Sequence, residues 1–372
     1  MALSLCFVAF AALGIVHFFA LTSATEIRYG VGDLTQQRLL SNNCLLGPLR
    51  HDSIPACATT ASADEADSWA PWSYKPYCPQ NTNYCVFTSA EFQGPDRGVS
   101  IIDVQPSKSN NATSAAASLV QFLSSALARE AAQRISPHYE VRDIPGKGKG
   151  LIATRKISRG QVLMIDHAAV VADERFPTRV RREHGRLLLR EAIERLPMAR
   201  EVLSLARSSS DPDNVPAVED VMKTNSFSVE IGGRAYMALF PQIARINHAC
   251  KPSALTHFNA TTLSNTVTAF HDILPGDEIT ISYTAFALPS QPRRTHLLHK
   301  WGFPCTCALC ALPPRLLAES DARRELVDRL GREVVALVEK GGAQDLKKAV
   351  RLYRKVVKAV EEEGNQICDE WN

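Results

Sequence analysis

The sequence predicts a mixed α+β protein: a domain rich in short β-strands, interrupted by a helical insert and followed by a C-terminal helical hairpin. Short strand-like segments, separated by glycine and proline turns, recur between residues 139 and 283. A highly charged stretch with helical spacing, residues 175–206, interrupts them, and helical spacing returns after residue 313. Because 45% of the 372 residues are apolar, the chain can bury a sizeable core.

Residues 1–24 have the pattern of a secretory signal peptide: they carry no charge, contain a long apolar run and end in Thr22-Ser-Ala24. The segment has no Lys or Arg, and its apolar run, residues 3–21, approaches the length of a membrane span. An uncleaved anchor is therefore the alternative. The signal predicts a secretory-pathway or extracellular location, with membrane association only if residues 3–21 remain as an anchor.

Residues 25–116 predict an irregular region, because no strand or helix spacing persists among their many turn residues. Four cysteines in this region suggest two disulfides, for which three pairings are open. These cysteines are Cys44, Cys57, Cys78 and Cys85. The last part, residues 106–116, is predicted to be a linker, and it contains Asn111-Ala-Thr, an N-glycosylation pattern if the chain is secreted.

The elements that follow are predicted from spacing and turn residues. Residues 117–135 have helical spacing, which ends at Ser136-Pro137. Three strands separated by turns follow, at residues 139–144, 151–157 and 161–165. After the helical insert, placed at about residues 175–216, five further strands are predicted. They begin at Phe227, Ala235, Ser253, Thr266 and Glu278.

Residues 313–372 predict two antiparallel helices. Apolar residues recur there at intervals of three and four, for example Leu326, Leu330 and Val334. Gly341-Gly342 interrupts this pattern, so we expect the two helices to be joined there.

The charge of the chain is nearly balanced, with a net charge of +3 and 22% charged residues. Such a balance gives no extended positive field that would attract nucleic-acid phosphates. We therefore predict no direct nucleic-acid binding.

Three cysteines stand close together in Cys305-Thr-Cys307-Ala-Leu-Cys310. Thiolates suit Zn²⁺, which binds four ligands in a tetrahedron with Zn–S distances of about 2.3 Å. Cys250 is the nearest candidate for the fourth ligand, so zinc would tie the end of the β-rich domain to its middle. The alternative is that these are buried thiols or disulfides, which an oxidising compartment would favour.

Asn247 and His248 could each be turn residues, and Tyr283 an ordinary half-buried aromatic, when they are considered singly. Together they belong to four blocks in a fixed order. The blocks are Gly146-Lys-Gly-Lys-Gly-Leu151, Asn247-His-Ala-Cys250, Gly276-Asp-Glu-Ile-Thr-Ile-Ser-Tyr283 and Trp301-Gly-Phe-Pro-Cys-Thr-Cys-Ala-Leu-Cys310. This arrangement resembles the SET-domain protein-lysine methyltransferases, of the SET-and-MYND type and its fungal relatives, over about residues 138–312. The MYND finger is lacking, since residues 175–216 contain no cysteine.

The resemblance implies a SET domain over residues 136–312, with short twisted sheets and a knot-like crossing. It implies S-adenosylmethionine and zinc as cofactors, and a protein substrate that presents a lysine. Tyr283 would be the catalytic hydroxyl, and Trp301 would line the substrate channel. Cofactor-binding residues would be Lys147, Lys149, Leu151, Asn225, Ala244, Ile246, Asn247, His248, Tyr283 and Phe303. Metal ligands would be Cys250, Cys305, Cys307 and Cys310.

Two positions depart from the family pattern. Ser253 follows Pro252 where relatives commonly have Asn, and Trp301 replaces the usual Tyr, which removes a hydroxyl but keeps an aromatic face. Three hypotheses therefore stay open: an active protein-lysine methyltransferase, with histones among its candidate substrates; a catalytically weak SET module that binds cofactor or protein; and a secreted, disulfide-stabilised binding protein. The family resemblance implies the nucleus or cytoplasm as the alternative location.

Overall fold

The computed structural model describes residues 69, 71–105, 138–208 and 215–364. Within these ranges it has twelve strands and seven helices, and the predicted mixed α+β class is confirmed. The strands are β1 (Tyr84–Ser89), β2 (Val99–Val104), β3 (Tyr139–Ile144), β4 (Gly148–Ala153), β5 (Val162–His167), β6 (Val170–Asp173), β7 (Ser226–Ile231), β8 (Arg234–Leu239), β9 (Asn247–His248), β10 (Ala254–Asn259), β11 (Ser264–Ala269) and β12 (Glu278–Ile281). The helices are α1 (Phe176–Arg179), α2 (Arg182–Glu194), α3 (Ala199–Leu203), α4 (Ala217–Asn225), α5 (Ser290–Trp301), α6 (Pro314–Lys340) and α7 (Ala343–Glu362).

Several predicted features lie outside the described residues. They are the signal peptide or anchor at residues 1–24, the linker at residues 106–116, the helix at residues 117–135, and two of the N-terminal cysteines, Cys44 and Cys57. Among the helices of the described part, none has both the length and the apolar character needed to cross a membrane.

The largest sheet has five strands in the spatial order β1-β2-β6-β8-β7. Strand β2 pairs antiparallel with β1 and parallel with β6. One face of the sheet, with Ile101 and Val171, packs into a core shared with the other sheets. The opposite face, with Ile102 and Val170, packs against Leu188 and other residues of the helical insert. This sheet therefore forms the middle layer of the domain.

The prediction that residues 25–116 are irregular is wrong for β1 and β2. All residues of these two strands are buried except the half-buried Val104, because both faces of the sheet are covered. A strand buried on both faces has no alternation of apolar and polar residues, so its sequence lacks the period-two signal. The structure also joins Cys78 to Cys85 by a disulfide, one of the pairs that the sequence left open.

Two smaller sheets complete the β-rich part. Their strands β3, β4, β5, β10, β11 and β12 match six of the strands predicted between residues 139 and 283, and β7 and β8 of the five-stranded sheet match the other two. One of the smaller sheets has the order β10-β11-β5, and the other has the order β3-β4-β12-β9. In the second sheet, β12 pairs antiparallel with β4 and parallel with the two-residue strand β9. This parallel pairing sets Asn247 opposite Thr280 and His248 opposite Ile281, on the strand that leads to Tyr283.

The helical insert is confirmed and consists of α1, α2 and α3. Helix α4 follows between the end of the predicted insert and the strand predicted from Phe227, where the sequence predicts no helix. Its N-cap is Pro216, and it continues to Asn225, immediately before β7. Helix α5 was also missed, since Leu297 is its one buried apolar residue and no apolar stripe marks it.

The C-terminal helical hairpin is confirmed in α6 and α7. Gly341 adopts a left-handed backbone with φ 70° at the end of α6, a conformation that glycine tolerates without a Cβ penalty. Gly342 then precedes the first residue of α7. The hairpin packs on the domain through a core that contains Val327 of α6, Val360 of α7 and Phe286 of the loop after β12.

Candidate active site and metal centre

Tyr283 and His248 form the centre of the candidate active site. The Tyr283 hydroxyl donates to the Ile246 carbonyl at 2.8 Å, and the Tyr283 backbone N–H donates to His248 Nδ1 at 3.0 Å. The two rings lie 5.3 Å apart between centroids. The phenol is therefore fixed on the backbone of the residue before Asn247.

Burial controls the ionisation of both side chains. It raises the pKa of Tyr283, and the carboxylate of Glu278 raises it further, so the hydroxyl keeps its proton and acts as a donor. Burial also lowers the pKa of His248 to about 4, so the ring is neutral at pH 7. Because Nδ1 accepts the Tyr283 N–H, the ring proton lies on Nε2, which faces Cys250 Sγ at 3.2 Å. Both ring nitrogens of His248 are thus engaged within the protein.

An aromatic wall borders Tyr283. The centroid of the Trp301 ring lies 5.0 Å from that of the Tyr283 ring, and the centroid of the Phe303 ring lies 6.3 Å from that of His248. Trp301 Nε1 donates to the Thr224 carbonyl at 2.8 Å, which ties the end of α5 to α4. Trp301 lacks the hydroxyl of the usual Tyr, and its indole N–H bonds the backbone instead.

The glycine-rich turn and the Asn247 segment meet at one carboxylate, Glu278. Lys147 Nζ lies 2.5 Å from Glu278 Oε2, and Asn247 Nδ2 donates to Glu278 Oε1 at 3.0 Å. Gly150 allows this approach, since a Cβ there would lie 2.7 Å from Asn247 Nδ2. Glu278 was not among the predicted site residues, although it stands in the Gly276 to Tyr283 block, whose position was the available signal.

Four further predicted cofactor-binding residues lie on elements next to this group: Lys149 and Leu151 on β4, which pairs with β12, Ala244 three residues before Asn247, and Asn225 next to Thr224, which bonds Trp301. Lys149 is exposed and pairs with Asp143 at 2.9 Å. Leu151 is buried in the main core, and Ala244 packs against the helical insert. The Asn225 amide donates to the carbonyls of Ala206 and Val221, at 2.8 Å each.

The substitution at Ser253 is accommodated by β12. The Thr280 N–H donates to Ser253 Oγ at 2.8 Å, and the Ser253 N–H donates to Thr280 Oγ1 at 3.1 Å. Ser253 is buried, so these two bonds satisfy polar groups that water does not reach. The shorter side chain therefore still links the segment after Cys250 to β12.

The four predicted metal ligands converge. Their sulfur atoms all lie within 4.8 Å of one another. Cys250 Sγ is 3.8 Å from Cys305 Sγ and 3.6 Å from Cys310 Sγ. A tetrahedron of thiolates with Zn–S distances of about 2.3 Å places its sulfurs about 3.8 Å apart, so this set fits Zn²⁺. None of the four is in a disulfide.

Comparison with known families agrees with this geometry. Residues 148–284 match the family model of the SET domain. The match begins at β4 and ends just after Tyr283, so it contains strand β9 with Asn247 and His248 and precedes Cys305.

Two curated relatives each match part of the chain. The chain is 29% identical to the N-lysine methyltransferase SMYD2 of Mus musculus over 102 residues, which are 27% of this chain and 23% of that protein. It is 26% identical to the histone-lysine N-methyltransferase set5 of Schizosaccharomyces pombe over 195 residues, 50% of this chain and 55% of that protein. The chain thus spans about a quarter of the mouse relative and about half of the yeast relative.

Proposed function

We propose that this protein is an S-adenosylmethionine-dependent protein-lysine N-methyltransferase without a MYND finger. The observation that carries the proposal is the Tyr283 hydroxyl held on the Ile246 carbonyl, where β9 brings Asn247 and His248 against β12. The SET domain match and the two methyltransferase relatives support the same activity.

The donor set around Glu278 suits the cofactor. An ammonium on Lys147, the Asn247 amide and the Glu278 carboxylate can pair with the carboxylate and ammonium of a bound amino acid. Phe303 would cover the adenine ring, since aromatic faces favour stacking. When bound, S-adenosylmethionine would supply an activated methyl group on its sulfonium.

The chain's own residues provide alignment and desolvation. The Tyr283 hydroxyl and the Ile246 carbonyl present two fixed oxygens, whose dipoles need no reorganisation during the reaction. Burial beside the rings of Tyr283 and Trp301 would remove water from a substrate lysine. This desolvation disfavours the ammonium by more than the roughly 0.5–2 kcal/mol that the ring faces return, and so lowers the pKa of the lysine towards neutrality. A neutral amine is the form that can act as a nucleophile.

We further propose that the four cysteines bind zinc as a structural centre. When bound, Zn²⁺ would supply a cross-link between Cys250, two residues after His248, and the loop from Cys305 to Cys310. That loop begins two residues after Phe303. The cross-link would therefore hold Trp301 and Phe303 next to β9.

The substrate that we propose is a protein with an accessible lysine, and histones are candidates because the yeast relative is named for them. One contact favours the second candidate function, a weakly active binding module: Lys300 Nζ lies 4.5 Å from the centroid of the Trp301 ring. This ammonium covers an aromatic face that would otherwise attract a substrate cation.

For location we keep secretory entry as the proposal, based on residues 1–24. The Cys78–Cys85 disulfide supports it, because disulfides persist in oxidising compartments. Fractionation of cells that express the full chain would test it, and protein found in the cytosol or nucleus alone would contradict it.

The test is transfer of labelled methyl from S-adenosylmethionine to histones or extract proteins by the full chain, with hydrolysis to identify methyllysine. Tyr283→Phe should lower the turnover by about 10²–10³-fold, the usual loss when one preorganised donor is removed. Cofactor affinity should change by less than about tenfold, or 1.4 kcal/mol. Tyr236→Phe is the matched control, because it removes a buried hydroxyl bonded to Asp103 in the five-stranded sheet.

Methyllysine formed equally by wild type and Tyr283→Phe would contradict the assigned role of the phenol. Wild-type protein that binds the cofactor but transfers no methyl group would favour the binding module.

A further inference from the structure

Arg293 of α5 is completely buried beside the cysteine cluster. Its Nε donates to Cys250 Sγ at 3.1 Å, and its Nη1 donates to the Leu288 carbonyl at 2.6 Å. Within the described ranges, no carboxylate lies within 4.0 Å of this guanidinium. The cysteine sulfurs are therefore the anionic partners available to it.

The charge of Arg293 distinguishes between the possible states of the cysteines. A guanidinium stays protonated in proteins, and a buried charge left without a partner costs several kcal/mol. Four thiolates around one Zn²⁺ carry a net charge of about −2, whereas two disulfides or four thiols carry none. A buried cation at a sulfur atom thus matches the metal–thiolate form and disfavours the neutral forms.

A second buried arginine, Arg324 of α6, does not place its charge at the cysteine sulfurs. Its Nε pairs with Glu363 at 3.1 Å, so its charge is already balanced. Its Nη2 donates to the Cys250 carbonyl at 3.0 Å rather than to the sulfur. Cys250 is therefore held at its backbone by Arg324 and at its sulfur by Arg293.

We propose that Arg293 is the counter-ion of the metal centre, a positioning residue whose buried charge at Cys250 Sγ slows the release of the metal. This inference rests on the zinc site of the proposed function. It predicts that the metal stays bound because of a charge on α5, in addition to its four ligands.

The experiment uses the full chain in wild-type form and as Arg293→Gln, Arg293→Lys and Arg294→Gln. Metal content is measured first, and then the rate of zinc transfer to a chromophoric chelator and the rate at which a thiol reagent modifies the cysteines. Arg294→Gln is the matched control: Arg294 lies on the same helix and donates to the Cys310 carbonyl at 2.6 Å, not to a sulfur.

Arg293→Gln should release zinc about 10–100-fold faster than wild type, the usual loss when a group bonded to a metal ligand is removed. Its cysteines should also react faster. Arg293→Lys keeps the charge and should release zinc less than about tenfold faster, while Arg294→Gln should resemble wild type. If Arg293→Gln does not fold, Arg293→Lys is compared with wild type, and zinc release more than about tenfold faster would overturn the inference.

Zinc-loaded Arg293→Gln that releases metal and reacts with thiol reagents at the wild-type rates would overturn the inference while leaving the zinc site intact. If Arg293→Lys releases zinc as fast as Arg293→Gln, the charge is not the cause, and the inference is also overturned. Wild-type protein without metal would overturn the proposed zinc site together with this inference.

Discussion

Glu363 closes the C-terminal hairpin onto the domain, and its substitution gives a sharp test of that packing. The carboxylate is buried at the end of α7, where it accepts from Ser320 Oγ, from Arg323 Nε at 2.8 Å and from Arg324 Nε at 3.1 Å. Arg324 is 1% exposed and also donates to the carbonyls of Phe286 and Cys250. Glu363→Gln keeps the shape of the side chain and removes the charge that balances Arg324.

The expected cost follows from the burial of the pair. Breaking a buried ion pair by neutralising one partner costs about 3–5 kcal/mol, because the other charge stays in the core. The amide that replaces the carboxylate keeps one oxygen acceptor, so we expect a cost near the lower end, about 3 kcal/mol. At about 2–4 °C per kcal/mol for a domain of this size, the midpoint of thermal unfolding should fall by about 6–12 °C.

The assay is thermal unfolding of the full chain followed by far-ultraviolet circular dichroism, with denaturant unfolding as the second measurement. Glu362→Gln is the matched control, because Glu362 is exposed and its 3.8 Å contact with Lys358 lies on the surface. A surface pair of this kind contributes about 0–1 kcal/mol. Equal unfolding midpoints for the two variants would refute the view that Glu363 fixes the hairpin through Arg324.

Two further predictions concern pH and metal. Burial raises the pKa of Asp166 to about 6 and lowers the pKa of His167 to about 4. Folded Asp166 keeps a proton that the unfolded chain loses near pH 4, so its contribution to the free energy of unfolding falls as pH rises from about 4 to 6. Folded His167 lacks a proton that the unfolded chain binds below about pH 6.5, so its contribution to the free energy of unfolding rises over a similar range. Relative to wild type, Asp166→Asn should thus gain stability as pH rises through this range, and His167→Gln should lose stability, each by up to about 3 kcal/mol in denaturant unfolding. If the free energy of unfolding had the same dependence on pH in both variants, the two pKa shifts would be contradicted. Removing the metal with a strong chelator should lower the thermal midpoint of the full chain by roughly 5–10 °C, and an unchanged midpoint would argue against a structural metal.

Local sequence was informative where one physical constraint acts over a short span. The hairpin of α6 and α7 was predicted because long amphipathic helices repeat their apolar positions many times. Cys305, Cys307 and Cys310 were predicted as metal ligands because few other functions require three thiols within six residues. Cys250 was predicted as the nearest candidate for the fourth ligand, and the structure brings all four together.

The remaining elements depend on contacts between distant parts of the chain. Strands β1 and β2 lack alternation because helices cover one face of their sheet and strands cover the other. Helix α5 is polar, and the burial of Arg293 is explained by its contact with Cys250, which lies 43 residues away in the sequence. Glu278 likewise became a site residue when folding brought Lys147 and Asn247 to its two oxygens.

The central claim is that the cofactor and the substrate lysine meet beside Tyr283, next to β9. The most direct measurement is a crystal structure of the full chain with S-adenosylhomocysteine, the product that remains after methyl transfer. We expect the ligand between Phe303 and the segment of Asn247 and His248, with its sulfur facing the Tyr283 hydroxyl. A ligand bound elsewhere, with Tyr283 closed off from it, would contradict the account.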